Sequence, residues 1–445
     1  MPMTDYRAFA DGLAEDIARG RLAPGARLPP QRTFAYTHGI AVSTASRVYA
    51  ELVRRGLVTG ETGRGTYVRS HDGTPSLAFA EPPATAVDLE RIYSVLPDQA
   101  DSLSRTIAEL LRPDRLAHVV APVAAAGDPE GRTIAARFLA RSGWAPAADT
   151  LLFTGNGRQA VAAALAALAP PGERIGVESI TYPVVKGIAA RLGITLVPLG
   201  LDEEGLCPDA IAQAHRAAPL RGIYLQPSLH NPLGITMGPE RRAAIAASLE
   251  THGLFAVEDA IYGFLSDAVP LAAHAPDRTI LVDSLSKRVA PGLTLGFIAP
   301  PPSLVDRTAL CVRSGGWGAT GLPFAVGLHL MESGEAARIG LAKRADARAR
   351  QALARKTLDD LVLRGDDRAY HLWLALPETW RAETFVAAAA RRGIAVTPAS
   401  AFAVHPGHAP NAVRLALAAP PCDTLVTALK TLRQLATEGD DSPIE

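Results

Sequence analysis

Asp283-Ser284-Leu285-Ser286-Lys287-Arg288-Val289-Ala290-Pro291-Gly292-Leu293 is the most chemically specific stretch of this 445-residue chain. An apolar, strand-like run over 279–283 ends at an acid, and a lysine flanked by serines follows. Such a lysine can form a Schiff base with a cofactor aldehyde, and Ser284 and Ser286 can offer hydroxyls to a phosphate on the same molecule. Lysine is scarce: Lys186, Lys287, Lys343, Lys356 and Lys430 are the full set. Chemistry that needs an amine therefore has few candidates.

Further motifs extend this reading in both directions. Val257-Glu-Asp-Ala-Ile-Tyr puts Asp259 at a strand end and Tyr262 three residues later. A buried carboxylate opposite a pyridine nitrogen keeps that nitrogen protonated and the ring an electron sink; a tyrosine hydroxyl can bond the ring's 3′-oxygen. His230-Asn-Pro-Leu-Gly brings the Asn231 amide toward the same oxygen. Thr154-Gly-Asn-Gly-Arg-Gln-Ala precedes a helix, so the N–H groups around Asn156, Gly157 and Arg158 can cradle an anion at its N-terminus. Tyr182, in Ile-Thr-Tyr-Pro, can stack on the ring, and Arg414, in Val-Arg-Leu-Ala-Leu, can clamp a carboxylate with two parallel bonds. Taken singly, these are an ordinary turn, a core tyrosine and a surface arginine. Their order and spacing carry the reading.

From residue 88 onward, strand-like runs (150–154, 174–177, 195–198, 222–226, 255–258, 279–283, 295–299) alternate with helical patterns. This predicts a mostly parallel, buried sheet of α/β class. A long helix over 338–364, then strand-like 370–376 and 412–418, predicts a smaller α+β unit. The expected division is 1–69, a linker over 70–87 rich in Gly, Pro, Ser, Thr and Ala, and a body over 88–445 that splits near residue 300. As a flexible coil the linker would span roughly 20–25 Å. No apolar run reaches the ~20 residues of a membrane span, and the acidic N-terminus lacks a signal pattern. A cytoplasmic protein without membrane attachment is expected. Cys207, Cys311 and Cys422 lie too far apart in sequence to suggest a disulfide framework.

Net charge is zero, with 45 basic and 45 acidic residues, which argues against a protein that coats nucleic acid throughout. The positive charge from Arg7 to Arg69, however, is all arginine and locally exceeds the acids, as in a DNA reader. The same segment reads helix (4–19), short helix (31–37), helix (42–55) and glycine-tipped hairpin (57–68), which is a winged helix-turn-helix. Its second helix would present Ser43, Thr44, Ser46 and Arg47 to base edges of double-stranded operator DNA. Arg32 is placed to hold a phosphate, and Arg64 at the wing tip to enter a minor groove.

Leu22-Ala-Pro-Gly-Ala-Arg-Leu-Pro-Pro-Gln-Arg, Ser43-Thr-Ala-Ser-Arg-Val-Tyr and Gly63-Arg-Gly-Thr-Tyr-Val together resemble the DNA-binding domain of the GntR superfamily. The ordered set from Asn156 to Arg414 resembles the fold-type I aminotransferases, and the whole chain resembles the MocR subfamily of regulators. The resemblance implies a multidomain protein: a winged helix-turn-helix joined to an aminotransferase-like domain that binds pyridoxal 5'-phosphate (PLP) on Lys287. It also implies a homodimer that answers to a small amine or amino-acid effector. Two departures stand out. Thr294 occupies the place where the resemblance calls for a phosphate-binding arginine, with Arg288 the nearest replacement. No tyrosine lies between Tyr93 and Tyr182 to reach a partner's phosphate. Each such bond is worth about 1–3 kcal/mol, so weakened cofactor binding is expected. Three functions stay open on the residues alone: an effector-sensing regulator, an aminotransferase with an appended DNA reader and at most residual turnover, and a sensor of PLP itself.

Overall fold

The computed structural model describes residues 6–19, 21–23, 26–55, 57–61, 65–68, 87–113, 116, 119–141 and 143–438. Arg64 and the expected linker, apart from Val87, lie outside these residues.

The head is built from α1 (Tyr6–Ala18), α2 (Gln31–Thr37), α3 (Val42–Arg54), β1 (Val58–Glu61) and β2 (Gly65–Val68). Apolar side chains at Ala45, Val48, Tyr49 and Leu52 recur at helical spacing, and α3 buries that stripe against α1 and α2. Phe34 meets Tyr49 edge to face, with ring centroids 5.6 Å apart. The wing is tied down on its inner side: Leu28 N–H donates to Thr66 O (2.8 Å) and Val68 N–H to Ala26 O (2.8 Å).

The body opens with a two-residue strand, β3 (Val87–Asp88), and continues into a seven-stranded sheet. Its strands are β4 (Leu152–Thr154), β5 (Arg174–Glu178), β6 (Thr195–Leu199), β7 (Gly222–Leu225), β8 (Phe255–Asp259), β9 (Thr279–Ser284) and β10 (Gly296–Ala299), in spatial order β4-β10-β9-β8-β7-β5-β6. The run from β9 to β6 is parallel, and β10 is antiparallel to both neighbours. Both faces are covered, which explains the unbroken apolar runs. Ile280 and Val282 point into one core, Leu281 into the other. α4 (Gly157–Leu168) packs on the first of these faces.

The second sheet consists of β11 (Leu363–Arg364), β12 (His371–Ala375), β14 (Thr397–Pro398) and β15 (Ala412–Ala416), in spatial order β11-β12-β15-β14. Between them in sequence, β13 (Ile394–Ala395) pairs parallel with β3. The body's first residues are therefore fastened to its last unit.

Two expectations change. Helices α5 (Val305–Ser314) and α6 (Gly321–Glu332), beyond the boundary expected near residue 300, bury Val312, Phe324 and Val326 in the cores of the seven-stranded sheet. The division falls instead along α7 (Glu335–Thr357), whose Ile339 belongs to one core and Ala354 to the other. That helix also stops at Thr357 rather than Arg364, because Leu363 and Arg364 pair with Leu374 and Trp373.

The loop 227–237, which carries Asn231, is clamped by Arg242. Its Nε donates to Met237 O (3.0 Å), and one terminal nitrogen donates to Pro227 O (2.8 Å) and Ser228 Oγ (2.9 Å). Its other terminal nitrogen lies 3.8 Å from the buried Glu258. Replacing Arg242 with Met keeps the volume but frees two carbonyls and takes from the buried Glu258 its ion-pair partner, leaving it the N–H bonds of Leu271 and Ala272. Chemical denaturation should show the body destabilised by about 3–5 kcal/mol, while the head's transition is unchanged.

Candidate functional site

The functional residues expected from sequence converge at the C-terminal ends of the parallel strands, where open α/β sheets place ligands. Asp259 closes β8 and Ser284 closes β9; Lys287 sits on the short helix Leu285–Arg288 that follows. Lys287 Nζ donates to Ile92 O at 2.7 Å. Burial, reinforced by the nearby charges of Arg158 and Arg414 and opposed by Asp259, pushes this amine down to about 8. A larger share of it is therefore unprotonated and nucleophilic near neutral pH than in an exposed lysine.

Asp259 is buried and triply bonded. Its Oδ2 accepts from the Tyr224 hydroxyl (2.7 Å) and from Gln226 Nε2 (2.9 Å), and its Oδ1 accepts from Ile261 N–H (3.1 Å). Burial raises its carboxyl to about 6 despite these bonds. Tyr224 and Gln226 are additions to the set read from sequence. The alternation Tyr224-Leu225-Gln226 carried the signal, since residues two apart on a strand share a face.

Gln226 continues the network, its Oε1 accepting from Asn231 N–H (3.1 Å). The Asn231 side-chain oxygen in turn accepts from Arg414 (3.3 Å). Arg414, on β15, also donates to Thr397 Oγ1 (2.9 Å) and to the Glu90 carbonyl, and lies over the Phe402 ring at 5.2 Å. Its buried Nε has no hydrogen-bond partner among the described residues. Leu229, at φ 51°, holds a left-handed backbone conformation two residues before Asn231, the kind of local strain that collects at ligand sites. Tyr262 is buried beside His371, with ring centroids 5.6 Å apart. Burial drives His371 down to about 3, so it is neutral, and its Nε2–H donates to His230 O (2.9 Å).

The anion cradle has a physical outline. Asn156 caps α4, its side-chain oxygen accepting from Gln159 N–H (3.0 Å), so its contribution to an anion is its backbone. A Cβ on Gly157 would lie 3.1 Å from Ser284 Cβ, a tight contact, and one on Gly296 would lie 2.5 Å from the backbone Asn156 O, which at that position only glycine avoids. Ser284 Oγ accepts from Ser286 N–H (3.1 Å) and bonds Thr294 Oγ1 (2.9 Å). Tyr182 is half-buried at the start of the helix Pro183–Arg191; burial raises its hydroxyl and the nearby charge of Arg158 opposes that. Arg288 faces elsewhere: it bonds Asp283 (3.2 Å) and lies 4.3 Å from the Phe138 ring centroid and 5.4 Å from that of Phe264. The replacement suggested by its position in sequence is therefore already engaged.

These residues fit PLP. A depressed lysine amine suits an aldehyde, Asp259 a ring nitrogen, the glycine-lined helix start a phosphate, and the unpartnered Nε of Arg414 an added anion.

In the head, Arg32, Ser43, Ser46 and Arg47 are exposed and Thr44 is half-buried, all on the outer side of α2 and α3. Arg47 stacks on the Tyr6 ring at 4.9 Å, which ties this residue of mid-α3 to the first residue of α1. Tyr36, 90% exposed on α2, extends this face and was not among the expected residues.

The family described as Aminotransferase class I and II matches residues 124–432, and that described as Bacterial regulatory proteins, gntR family, matches residues 5–68. The chain is 30% identical over 435 residues to the HTH-type transcriptional regulator YdeF of Bacillus subtilis, covering 97% of this chain and 94% of that one. It is 26% identical over 308 residues to the vitamin B6 salvage pathway transcriptional repressor PtsJ of Salmonella typhimurium, 68% of this chain and 70% of PtsJ. A kynurenine aminotransferase from Pyrococcus horikoshii superposes with a TM-score of 0.73 at 19% identity, over 79% of this chain and 91% of that one, a likeness of fold. With both matches in the order head then body, and a relative aligned along nearly its whole length, the chain belongs to the MocR subfamily of gntR-type transcription regulators, a winged helix-turn-helix fused to a fold-type I aminotransferase-like domain.

Proposed function

We propose that this regulator holds PLP at Lys287 and changes its grip on operator DNA when a small anionic amine enters the same site. The observation that carries this reading is the charge balance at the lysine: the charges of Arg158 and Arg414 are both felt at Lys287, with the buried Asp259 the carboxylate that opposes them there. Such a site suits a ligand bearing more than one negative group. When bound, PLP supplies an aldehyde that condenses with amines and a ring that draws electrons from them. Asp259, steadied by Tyr224 and Gln226, offers its charge to a protonated ring nitrogen. Arg414 offers a fork to a carboxylate or similar anion. The Lys287 amine is the nucleophile. A homodimer would present two heads to paired half-sites, raising apparent affinity through effective concentration.

The test is operator binding by the full chain, titrated with PLP and then with a panel of amino acids and amino-sulfonates. The expected result is that one amine class shifts operator affinity by about 5- to 150-fold, in the wild type and not in Lys287→Ala. An unchanged affinity across the panel defeats the sensing reading. A response to PLP alone makes the cofactor the signal, and steady release of keto acid makes the protein an enzyme.

Three outcomes check the residues. Borohydride should fix PLP to the wild type and not to Lys287→Ala, read by intact mass. Uptake of PLP by the apoprotein should quicken as pH rises through about 8, because only the unprotonated amine attacks; Arg158→Gln, removing a charge that holds the amine down, should move that midpoint upward. In the head, Arg47→Ala should cost about 1–3 kcal/mol and relax preference at one base position. Arg32→Ala should weaken all sequences alike and flatten the salt dependence by about one unit of slope. Fluorescence anisotropy on operator variants separates the two.

A further inference from the structure

We propose that in this chain the side chain of Arg158, and not only the backbone around it, supplies the full positive charge for the phosphate of the bound cofactor. The assignment rests on the reading above, that the site holds PLP.

A phosphomonoester carries a charge of about −1.5 to −2 at neutral pH. The cradle described here is almost entirely neutral: backbone N–H groups at the start of α4, the Ser284 hydroxyl, Ser286 and Thr294. The helix terminus adds about half a unit charge, which leaves most of the anion unanswered.

The cations nearby can be taken in turn. Arg288 is buried between Phe138 and Phe264 and bonded to Asp283. Arg141 bonds the same Asp283 oxygen at 2.9 Å. Lys343 is buried, with its Nζ on the carbonyls of Lys287 (3.1 Å) and Val289 (2.7 Å). Arg414 is tied to Asn231, Thr397 and Glu90, and Lys287 is committed to the aldehyde. Arg158 alone of this set is exposed and has no carboxylate within ion-pair distance among the described residues.

Its place in the fold gives it reach. It is the second residue of α4, and long helical side chains lean back over the preceding turn. For Arg158 that turn is the cradle itself. Its charge is felt both at the Tyr182 hydroxyl and at Lys287, and the helix that carries it starts against Ser284, so it faces the site. Ser284 stands between the two possible sources of charge. Gly157, next to Arg158, lies against one side of this serine, and the Thr294 hydroxyl lies 2.9 Å from its Oγ. A cation can serve the same phosphate from either position, and in this chain position 294 carries none.

The experiment compares full-length wild type, Arg158→Gln, Arg158→Lys and the double variant Arg158→Gln/Thr294→Arg. Dissociation constants are measured by visible absorbance for PLP and for pyridoxal, which lacks the phosphate. Arg158→Gln is expected to weaken PLP by about 10- to 100-fold while moving pyridoxal by less than about threefold at a pH well above the lysine's midpoint. Arg158→Lys should keep most of the PLP affinity, and the double variant should regain most of what Arg158→Gln loses. Equal weakening of both ligands, or undiminished PLP binding in Arg158→Gln, overturns the assignment and leaves the cofactor reading standing. A double variant no better than Arg158→Gln overturns the claim that the charge can be served from position 294. A wild type that takes up neither ligand overturns the cofactor reading itself, and this assignment with it.

Discussion

At the Lys287 amine the charges of two guanidiniums, Arg158 and Arg414, are set against that of one buried carboxylate, Asp259, and the rest of the site follows from that imbalance. Burial alone would tend to neutralise Asp259, and its carboxyl rises to about 6. The Tyr224 and Gln226 bonds resist this, since hydrogen bonds to the charged form favour it. The same burial pushes Lys287 toward its neutral form. The protein thus keeps a buried acid and a buried amine within reach of their switching points, where an incoming charge has more leverage than at an exposed surface.

That leverage has a path. From Asp259 the bonds run through the Gln226 amide to Asn231 N–H, and from the Asn231 side chain to Arg414. Asp259 belongs to the seven-stranded sheet and Arg414 to the antiparallel one, so the chain of bonds crosses between the two units. Asn231 is held in place by the loop that Arg242 clamps, with Leu229 in a strained conformation beside it. On the other side, the Glu90 and Ile92 carbonyls cap Arg414 and Lys287, and the strand just before them pairs with Ile394 and Ala395. A ligand that engages both the lysine and the arginine competes with both carbonyls. It therefore acts directly on the segment through which the body is joined to the head.

Much of this was legible in sequence because it is periodic or positional. The strands of the parallel sheet read as apolar runs between turn residues, and the short helix over 31–37 was bounded by Pro30 and Gly39. That Asp259, Ser284, Lys287 and Asn156 gather at one edge of the sheet was legible because they stand at the ends of elements, where residue type and spacing speak together. Side-chain direction was not. Arg288 follows Lys287 and looked available, but it turns toward Asp283 and two aromatic rings. Tyr224 lies on an apolar strand buried on both faces and Gln226 just past its end; the alternation put the two on one side together but did not say that this side met Asp259. The boundary near residue 300 failed for a related reason. The apolar stripes of α5 and α6 announce that they are buried, not against which sheet. Leu363 and Arg364 left the long helix because a strand partner outweighed their local helical preference, as tertiary context often does.

Arg158 draws together cofactor affinity and amine reactivity. With the phosphate absent, its charge is one of the influences that hold the Lys287 amine below its ordinary value; each pKa unit of such an effect corresponds to about 1.4 kcal/mol. A dianion on the cradle would cancel that influence and make the amine more basic. The lysine would then be most reactive before the phosphate is seated and more easily protonated once it is. The order favours capture first and retention afterwards, because the charge that readies the amine is the one the phosphate neutralises. A regulator needs a resident group that stays while weaker ligands come and go, and this arrangement separates the two demands. With the cofactor proposed above in place, phosphate and cradle would govern how long it remains, and Asn231 and Arg414, linked to Asp259 through Gln226, would be left to respond to what arrives beside it.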